Sequence, residues 1–240
     1  MGKYIIFGAT GGIGSAIAQE LHDDQHELHL VGRKEPMLRD MAARFGASWS
    51  KCDVLKSGEL EAAVAAAGDD VDGLVFAVGS INLKPVAKLT DADFLRDFEL
   101  NAMAAAKAVQ LALPALKAGQ GASVLLFSTV AVQQGFSAHA SVSMAKGAVE
   151  GLTRALAAEL APRVRVNAIA PSLTNTELAK PITASDQMAK AVASMHAIPR
   201  LGLASDMAAL AGLLLTSQGS WITGQIIGVD GGRSTLRTKG

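Results

Sequence analysis

Short apolar runs alternate with longer amphipathic stretches along the whole chain. The first run, residues 3–7, ends in a glycine-rich turn, after which Ile13, Ala16, Ile17 and Leu21 recur at helical spacing. Further strands are predicted at residues 27–31, 47–50, 71–78, 123–127, 164–170 and 225–229. Helices are predicted at residues 36–45, 60–67, 91–117, 141–160 and 206–215. This alternation predicts right-handed βαβ crossovers, and therefore an α/β protein with a doubly wound parallel sheet.

Residues 172–199 interrupt the alternation. They contain prolines and polar residues without strong periodicity, and they are too many for an ordinary connection. We therefore expect this segment to be a mobile lid over a bound substrate. No linker or low-complexity tract divides the chain, so residues 1–240 are expected to form a single domain.

Composition narrows the class of protein. Half of the 240 residues are hydrophobic and 18% are charged, which fits a sheet covered on both faces and further burial between subunits. With 22 basic and 22 acidic residues the net charge is zero, so nothing favours nucleic acid or an anionic membrane as a partner. The single Cys52 cannot form an intramolecular disulfide, and we expect it to be a buried thiol in a cytoplasmic protein. No metal site is expected.

The glycine-rich turn after the first strand indicates a phosphate site. A strand that turns through glycines into a helix directs free N–H groups and the positive end of the helix dipole at one point. Gly8 permits the tight turn, Gly12 lets a pyrophosphate approach the backbone, and Gly14 lets helix and strand pack closely. By itself the spacing G-x-x-x-G-x-G also fits a tight turn that binds nothing.

The end of the second strand bears on which dinucleotide would bind. A carboxylate about twenty residues past the glycines usually holds the adenosine ribose of NAD. Here the sequence is Val31-Gly32-Arg33-Lys34, which contains no acid. Arg33 suits a 2′-phosphate because a guanidinium makes bidentate, charge-assisted hydrogen bonds, although a solvated basic pair is the alternative. The place of Arg33 relative to the glycine turn favours NADP(H) over NAD(H).

Taken together, these motifs make the chain resemble the short-chain dehydrogenase/reductase family from Lys3 to about Ser234. The matching stretches are Gly8–Gly14, Asp53-Val54, Asn101, Arg165–Ser172 with Thr176, Trp221–Gln225 and Val229–Gly232. The resemblance implies a Rossmann fold with a nucleotide cleft. It implies contacts to the cofactor from Gly8, Thr10, Gly12, Ile13, Gly14, Arg33, Asp53, Val54, Gly79, Lys146, Pro171, Thr174 and Thr176.

The catalytic motif of the family is incomplete. Family members use Tyr-x-x-x-Lys, in which the lysine binds the nicotinamide ribose and lowers the pKa of the tyrosine, the proton donor. This chain keeps Lys146 but has Val142 at the tyrosine position, and its one tyrosine, Tyr4, lies in the first strand. Asn101 matches the family's helix asparagine, and Thr129 falls on the catalytic serine.

Three hypotheses remain open. In the first, the chain is an oxidoreductase acting on a small or medium carbonyl or alcohol, with a substitute proton donor. His139 is the candidate for that role because an imidazole can take up and release a proton near neutral pH, although it also fits a surface-loop histidine. Weaker candidates are Ser141, Ser143, and water on a relay through Lys146, Thr129 and Asn101.

In the second hypothesis, the chain is an NADP(H)-binding sensor or a non-catalytic partner subunit. In the third, an activated substrate needs little acid catalysis. We favour the oxidoreductase because general acid catalysis supplies only about 10²–10⁴-fold of the rate.

Two alanine-rich helices, residues 91–117 and 141–160, indicate association between copies of the chain. They carry more apolar face than one sheet surface can cover. Family members pair these helices, and the resemblance therefore implies a homotetramer.

Overall fold

The computed structural model describes residues 1–119 and 121–237, and within them seven parallel strands form one sheet. The strands are β1 (Lys3–Phe7), β2 (Glu27–Gly32), β3 (Ser48–Lys51), β4 (Gly73–Phe76), β5 (Ala122–Phe127), β6 (Val164–Pro171) and β7 (Ile226–Val229). Their order across the sheet is β3-β2-β1-β4-β5-β6-β7. This order confirms the predicted doubly wound parallel sheet of the Rossmann type.

Helices cover both faces of the sheet. In the described residues they are α1 (Gly12–Asp23), α2 (Glu35–Phe45), α3 (Glu59–Ala67), α4 (Asp91–Phe98), α5 (Ala104–Ala118), α6 (Val130–Gln134), α7 (Ala140–Leu160), α8 (Asp186–Ala193) and α9 (Ala204–Leu215). Ile5 and Phe7 of β1 enter the core shared with α3, α5 and α7. Tyr4 and Ile6 enter the opposite core with α1, α2 and α9. Because both faces are buried, β1 is hydrophobic at every position from Tyr4 to Phe7.

The crevice that the fold provides lies beside β1. This strand pairs with β2 on one side and with β4 on the other, so the connections leave in opposite directions at the carboxyl ends of β1 and β4. Ligands of open α/β sheets bind at such a switch point. The glycine turn, which directly follows β1, lies there.

The long helix predicted over residues 91–117 is continuous but not uniform. It consists of α4 and α5 joined by a wider π turn at Glu99–Met103. Asn101 lies in this turn and is 1% exposed. Single π turns inside α-helices are frequent at functional sites. A local widening of this kind leaves no trace in hydrophobic periodicity, so the sequence did not predict it.

Two further helices depart from the expectation. Residues 172–199, which show no strong periodicity in the sequence, contain α8, whose start is capped by Ser185. No residue of α8 is buried, and the helix is only eight residues long. The short helix α6, which begins after Thr129, spans only five residues and is too short to produce a periodic pattern.

None of the helices in the described residues combines the length and the apolar character needed to cross a membrane.

Candidate active site

The turn between β1 and α1 has the geometry of an anion site. Gly8 has φ +82°, a conformation that side chains disfavour, and its N–H donates to Val31 O at 2.9 Å. A Cβ at Gly14 would overlap the carbonyl oxygen of Gly8, so the helix packs against the turn only because that position is glycine. Gly11 precedes α1 without a side-chain cap, and the first turn contains no acid. The N–H groups at the start of α1 therefore face the crevice without a competing carboxylate in that turn.

A groove of about 460 Å³ runs outside the carboxyl ends of the first strands. It is lined by most of the residues that the sequence predicts to bind a cofactor: Gly8, Thr10, Gly12, Ile13, Gly14, Arg33, Asp53, Val54, Gly79 and Thr176. Residues that the sequence reasoning did not single out, among them Arg96 and Leu100, also line it. The fold thus brings together positions from the glycine turn and from residues 172–199.

Gly12 has a contact that the motif did not suggest. A Cβ built on Gly12 would lie 2.6 Å from Cγ2 of Thr176, which belongs to residues 172–199. Thr176 therefore rests directly on the glycine turn. The missing side chain at Gly12 makes room for this contact between the two segments.

A second cavity, the apolar pocket, adjoins the groove and has a volume of about 340 Å³. The predicted residues Thr129, His139, Lys146, Pro171 and Thr174 line it. The groove and the apolar pocket share wall residues: Ile13, Ala77, Val78, Gly79, Thr176 and Leu178. A ligand that extends along the groove past these shared residues reaches the apolar pocket.

Lys146 is the buried cation of the apolar pocket. It is 7% exposed, and its Nζ donates to the backbone oxygen of Phe127 at 2.8 Å. Burial lowers the pKa of Lys146 to about 8, while the nearby Asp97 opposes this effect. In the described residues no carboxylate oxygen lies within 4 Å of Nζ. The ammonium group is therefore held in place by a carbonyl and not by an ion pair.

Asn101 does not line either cavity but lies directly behind Gly79. A Cβ at Gly79 would be 3.1 Å from Oδ1 of Asn101 and 3.3 Å from Nζ of Lys146. Asn101 Nδ2 donates to Ser80 Oγ at 2.9 Å and to the backbone oxygen of Asp97 at 2.8 Å. Ser80 Oγ in turn donates to Oδ1 of Asp97 at 2.7 Å.

This network was missed by sequence reasoning. Asp97 is 3% exposed, and its carboxylate also accepts a hydrogen bond from Asn82 Nδ2 at 3.3 Å. Its position four residues before Asn101 was the available signal, because residues at that spacing share a helix face. Buried polar groups are costly unless they are paired, so the network fixes Asn101 beside Lys146.

The candidates for proton transfer differ in their surroundings. Val142 is 6% exposed and forms part of the pocket wall. Thr129 Oγ1 accepts a hydrogen bond from Ala131 N at 3.3 Å as the cap of α6. His139 Nδ1 lies 2.8 Å from the backbone oxygen of Ser137, which can only accept, so Nδ1 carries a proton and Nε2 is left for another partner. The weaker candidates Ser141 and Ser143 do not line the apolar pocket.

Residues 172–199 are tied to the end of β6 by a contact that the sequence did not suggest. Ser172 donates its hydroxyl proton to Nε2 of the buried His196 at 2.8 Å. This direction follows because His196 Nδ1 bonds the backbone oxygen of Ala193 at 3.2 Å. The two ends of residues 172–199 are therefore held together at the apolar pocket.

Known proteins resemble this chain in both sequence and fold. A family model described as enoyl-(acyl carrier protein) reductase matches residues 8–234. A tropinone reductase homologue of Arabidopsis thaliana is 33% identical over 238 residues, which is 95% of this chain and 78% of that protein. A short-chain dehydrogenase/reductase structure from Mycobacterium ulcerans has a TM-score of 0.91 at 28% identity, covering 98% of this chain and 90% of that one. An actinorhodin polyketide ketoreductase variant with NADPH has a TM-score of 0.92 at 26% identity, covering 98% of both chains.

Proposed function

Because the chain belongs to the short-chain dehydrogenase/reductase family, we propose that it is an NADP(H)-dependent oxidoreductase acting on a small or medium carbonyl or alcohol. The observation that carries the proposal is the shared wall of the groove and the apolar pocket, with Lys146 at the junction behind Gly79. This arrangement suits a dinucleotide in the groove whose reactive end reaches a substrate in the pocket. The pocket is mainly apolar, as expected for an organic substrate.

The residues of the groove fit a nicotinamide dinucleotide. The uncapped start of α1 supplies N–H donors for the pyrophosphate, and we assign Asp53 and Val54 to the adenine. Lys146 would hold the nicotinamide ribose, and Pro171, Thr174 and Thr176 would contact the nicotinamide end. The dinucleotide, when bound, supplies or accepts the hydride. The chain's own groups position the substrate, exclude water and move the proton.

We propose that NADPH binds more tightly than NADH because of Arg33. The guanidinium lines the groove just after β2, and no carboxylate oxygen of the described residues lies within 4 Å of it. Charge-assisted hydrogen bonds to the 2′-phosphate are expected to favour NADPH by roughly 1–3 kcal/mol. Arg33→Ala should shrink this gap, as measured by titrating each cofactor against protein fluorescence.

Arg39→Ala is the matched control for Arg33. Arg39 lies in α2, pairs with Glu35 and does not line the groove, so its removal should leave the preference unchanged. Equal affinities of the unaltered protein for NADPH and NADH would refute the cofactor assignment.

The missing tyrosine must be replaced if the reaction needs an acid. We propose His139, whose Nδ1 is fixed by Ser137 and whose Nε2 can face the apolar pocket. Thr129 and Lys146 line the same pocket, and Asn101 supports Lys146 from behind. Where His139 does not reach the substrate oxygen directly, a water bound by these groups can pass the proton between them.

The buried Val142 favours a second candidate function, an NADP(H)-binding sensor or a non-catalytic partner subunit. Valine has no proton to give at the position where the family places its acid. The two functions are separated by following NADPH absorbance with a panel of small and medium ketones and aldehydes. Turnover supports the oxidoreductase. Tight NADPH binding without turnover, and without any effect of His139→Ala, would establish the second function instead.

We propose a homotetramer built on the helices at the α4–α5 and α7 faces. Leu95, Met103 and Met144 are exposed large apolar side chains on these helices, and Trp221 is 99% exposed before β7. Such residues are expected to be covered by other copies of the chain. Light scattering at micromolar concentration should return four times the 24.7 kDa mass of the chain. A dimer mass would reject the tetramer but keep one helix pairing, and a monomer mass would reject both.

Two further assignments remain proposals. We propose that residues 172–199 close over the substrate, since Leu173, Leu178, Ile182 and Val192 from this segment line the apolar pocket.

We also propose that the protein lies in the cytoplasm. The buried Cys52, whose pKa is raised by burial to about 11, suits a thiol that stays reduced and unreactive.

A further inference from the structure

Arg233 is a cation of the apolar pocket that the proposed reaction does not use. It follows β7 in the turn after Asp230, lines the pocket and is half-buried. Its guanidinium carbon lies 4.6 Å from the centre of the Phe136 ring, which packs edge-on against His139 at 5.4 Å. Stacking on Phe136 thus holds the guanidinium on the pocket wall that also carries His139.

The charge around Arg233 is not balanced within the pocket. The residues that line the pocket include the cations Lys146 and Arg233 but no aspartate or glutamate among the described residues. The acid whose charge acts on Arg233 is Asp230, and its carboxylate accepts hydrogen bonds from the N–H groups of Gly232 and Ser234 and from the Ser234 hydroxyl. Within the described part of the chain, no carboxylate oxygen lies within 4 Å of the Arg233 guanidinium.

A half-buried guanidinium without a partner is energetically costly. It has five N–H donors in a planar fork, and none of them donates a hydrogen bond to an acceptor in the described residues. Burial lowers the pKa of Arg233, while the charge of Asp230 opposes that effect. Arg233 is therefore a partly desolvated cation that is influenced by the charge of Asp230 but has no contacting counter-ion among the described residues. An anionic ligand group in the pocket would supply one.

The rest of the pocket indicates what lies between that anion and the reacting carbon. Ile81, Leu83, Leu178 and Ile182 form apolar walls. A ligand that fits would have an apolar body, a reacting carbonyl or hydroxyl near Lys146, and an acidic group near Arg233. One planar guanidinium matches one carboxylate in bidentate geometry.

We propose that Arg233 binds a substrate carboxylate, so that the substrates are oxo acids or the corresponding hydroxy acids. This proposal rests on the oxidoreductase function for the reaction, but the binding of the carboxylate stands on Arg233 alone. Arg233 is then a specificity-determining residue, and Phe136 is the positioning residue that holds it. Neutral ketones of the same size would enter the pocket without this anchor.

The test compares each oxo acid with its methyl ester. Acetoacetate and levulinate, with methyl acetoacetate and methyl levulinate, form a series in which the ketone lies progressively farther from the carboxylate. Arg233→Gln should lower kcat/KM for the best oxo acid by about 10–10²-fold, because the loss of hydrogen bonds to a charged group weakens binding by about that factor. The loss should fall on KM, because the carboxylate does not change during the reaction. The ester should change by less than about 2-fold, and Arg233→Lys should restore part of the loss.

Arg237→Gln is the matched control, because Arg237 is an exposed arginine that does not line the pocket. A similar loss for acid and ester in Arg233→Gln would show that Arg233 only packs the pocket wall, and would overturn the proposal. A preference for the ester, or an Arg233 dependence seen with dihydroxyacetone phosphate but with no oxo acid, would also overturn it.

Calorimetry separates this proposal from the oxidoreductase function. Levulinate is titrated into the unaltered protein and into Arg233→Gln, each with NADP⁺ present and absent. If no compound is turned over but levulinate binds and Arg233→Gln abolishes binding, the carboxylate site stands and the proposed reaction fails. If neutral ketones are reduced while no oxo acid binds or reacts, the reaction stands and the carboxylate site fails.

Discussion

Replacing Val142 by tyrosine is expected to raise the turnover of simple ketones by about 10²–10⁴-fold, the usual contribution of general acid catalysis. Val142 lies one helical turn before Lys146 in α7, is buried and lines the apolar pocket. A phenol at this position would stand beside the ammonium group of Lys146, which favours the phenolate and eases proton transfer. The expected measurement is the steady-state rate of NADPH oxidation with a neutral ketone.

Val142→Phe is the matched control for the tyrosine variant. It introduces the same ring without the hydroxyl, so it reports the cost of overpacking the pocket separately from the gain in acid catalysis. Thermal unfolding of both variants shows whether the larger side chain is accommodated. A gain in Val142→Phe as large as in Val142→Tyr, or a folded Val142→Tyr with no gain over Val142→Phe, would contradict the prediction.

A double-mutant cycle with His139→Ala tests which group gives the proton in the unaltered protein. If His139 is the donor, His139→Ala lowers turnover in the parent chain but has little effect once Val142→Tyr is present. NADPH affinity should stay the same, because His139 lines the apolar pocket and not the groove. An equal loss in both backgrounds would assign His139 a role in shaping the pocket.

Lys146→Met is expected to lower kcat/KM by at least about 10²-fold and to weaken NADPH binding. The substitution keeps the length of the side chain but removes the ammonium group that bonds Phe127 O and that we assign to the ribose. Losing a charge-assisted hydrogen bond costs about 1.5–3 kcal/mol of binding, and losing the charge beside the reacting oxygen adds to the barrier. Lys117→Met, at the exposed end of α5, is the control and should change neither quantity.

The pH dependence gives an independent check on Lys146. Burial lowers its pKa from 10.5 to about 8, so the ammonium form predominates below pH 8 and the neutral amine above it. Activity that needs the ammonium should therefore fall as the pH rises through about 8. This fall in activity through pH 8 should be absent from the pH profile of the residual activity of Lys146→Met. If the fall persists in the variant, another group causes it.

As the pH rises through this range, the stability of the protein should increase while its activity falls. A lysine whose pKa is lower in the folded state makes the unfolded state the stronger proton binder between pH 8 and 10.5. The free energy of unfolding should rise with pH through that window, and the cost of burying the charge is fully present below it. Lys146→Met should therefore be at least as stable as the parent protein at neutral pH. A marked loss of stability would mean that reduced activity reports misfolding.

Much of the fold follows from local features of the sequence. The apolar run before Gly8, the glycines and the helical spacing after Ile13 are contiguous, so β1, the turn and α1 could be predicted together. Parallel strands joined by helices have one favoured handedness, and the observed strand order fits a doubly wound sheet with such connections. The motifs that follow identify the family, which the comparisons confirm.

Other features depended on contacts between distant segments. Thr176 rests on Gly12, Asp97 and Ser80 fix Asn101, and Phe136 stacks on Arg233.

By itself, the sequence determined the element types, the parallel sheet and the place of the cleft, because these depend on periodicity and on turn chemistry among neighbouring residues. Only the tertiary structure decided which side chains meet in the apolar pocket. The carboxyl ends of β5, β6 and β7 converge there from separate parts of the chain, and their loops are set by packing. Arg233 shows the difference, since it follows the last strand without a periodic pattern. Its role depends on lying beside Phe136 in a cavity without an acid among its described walls.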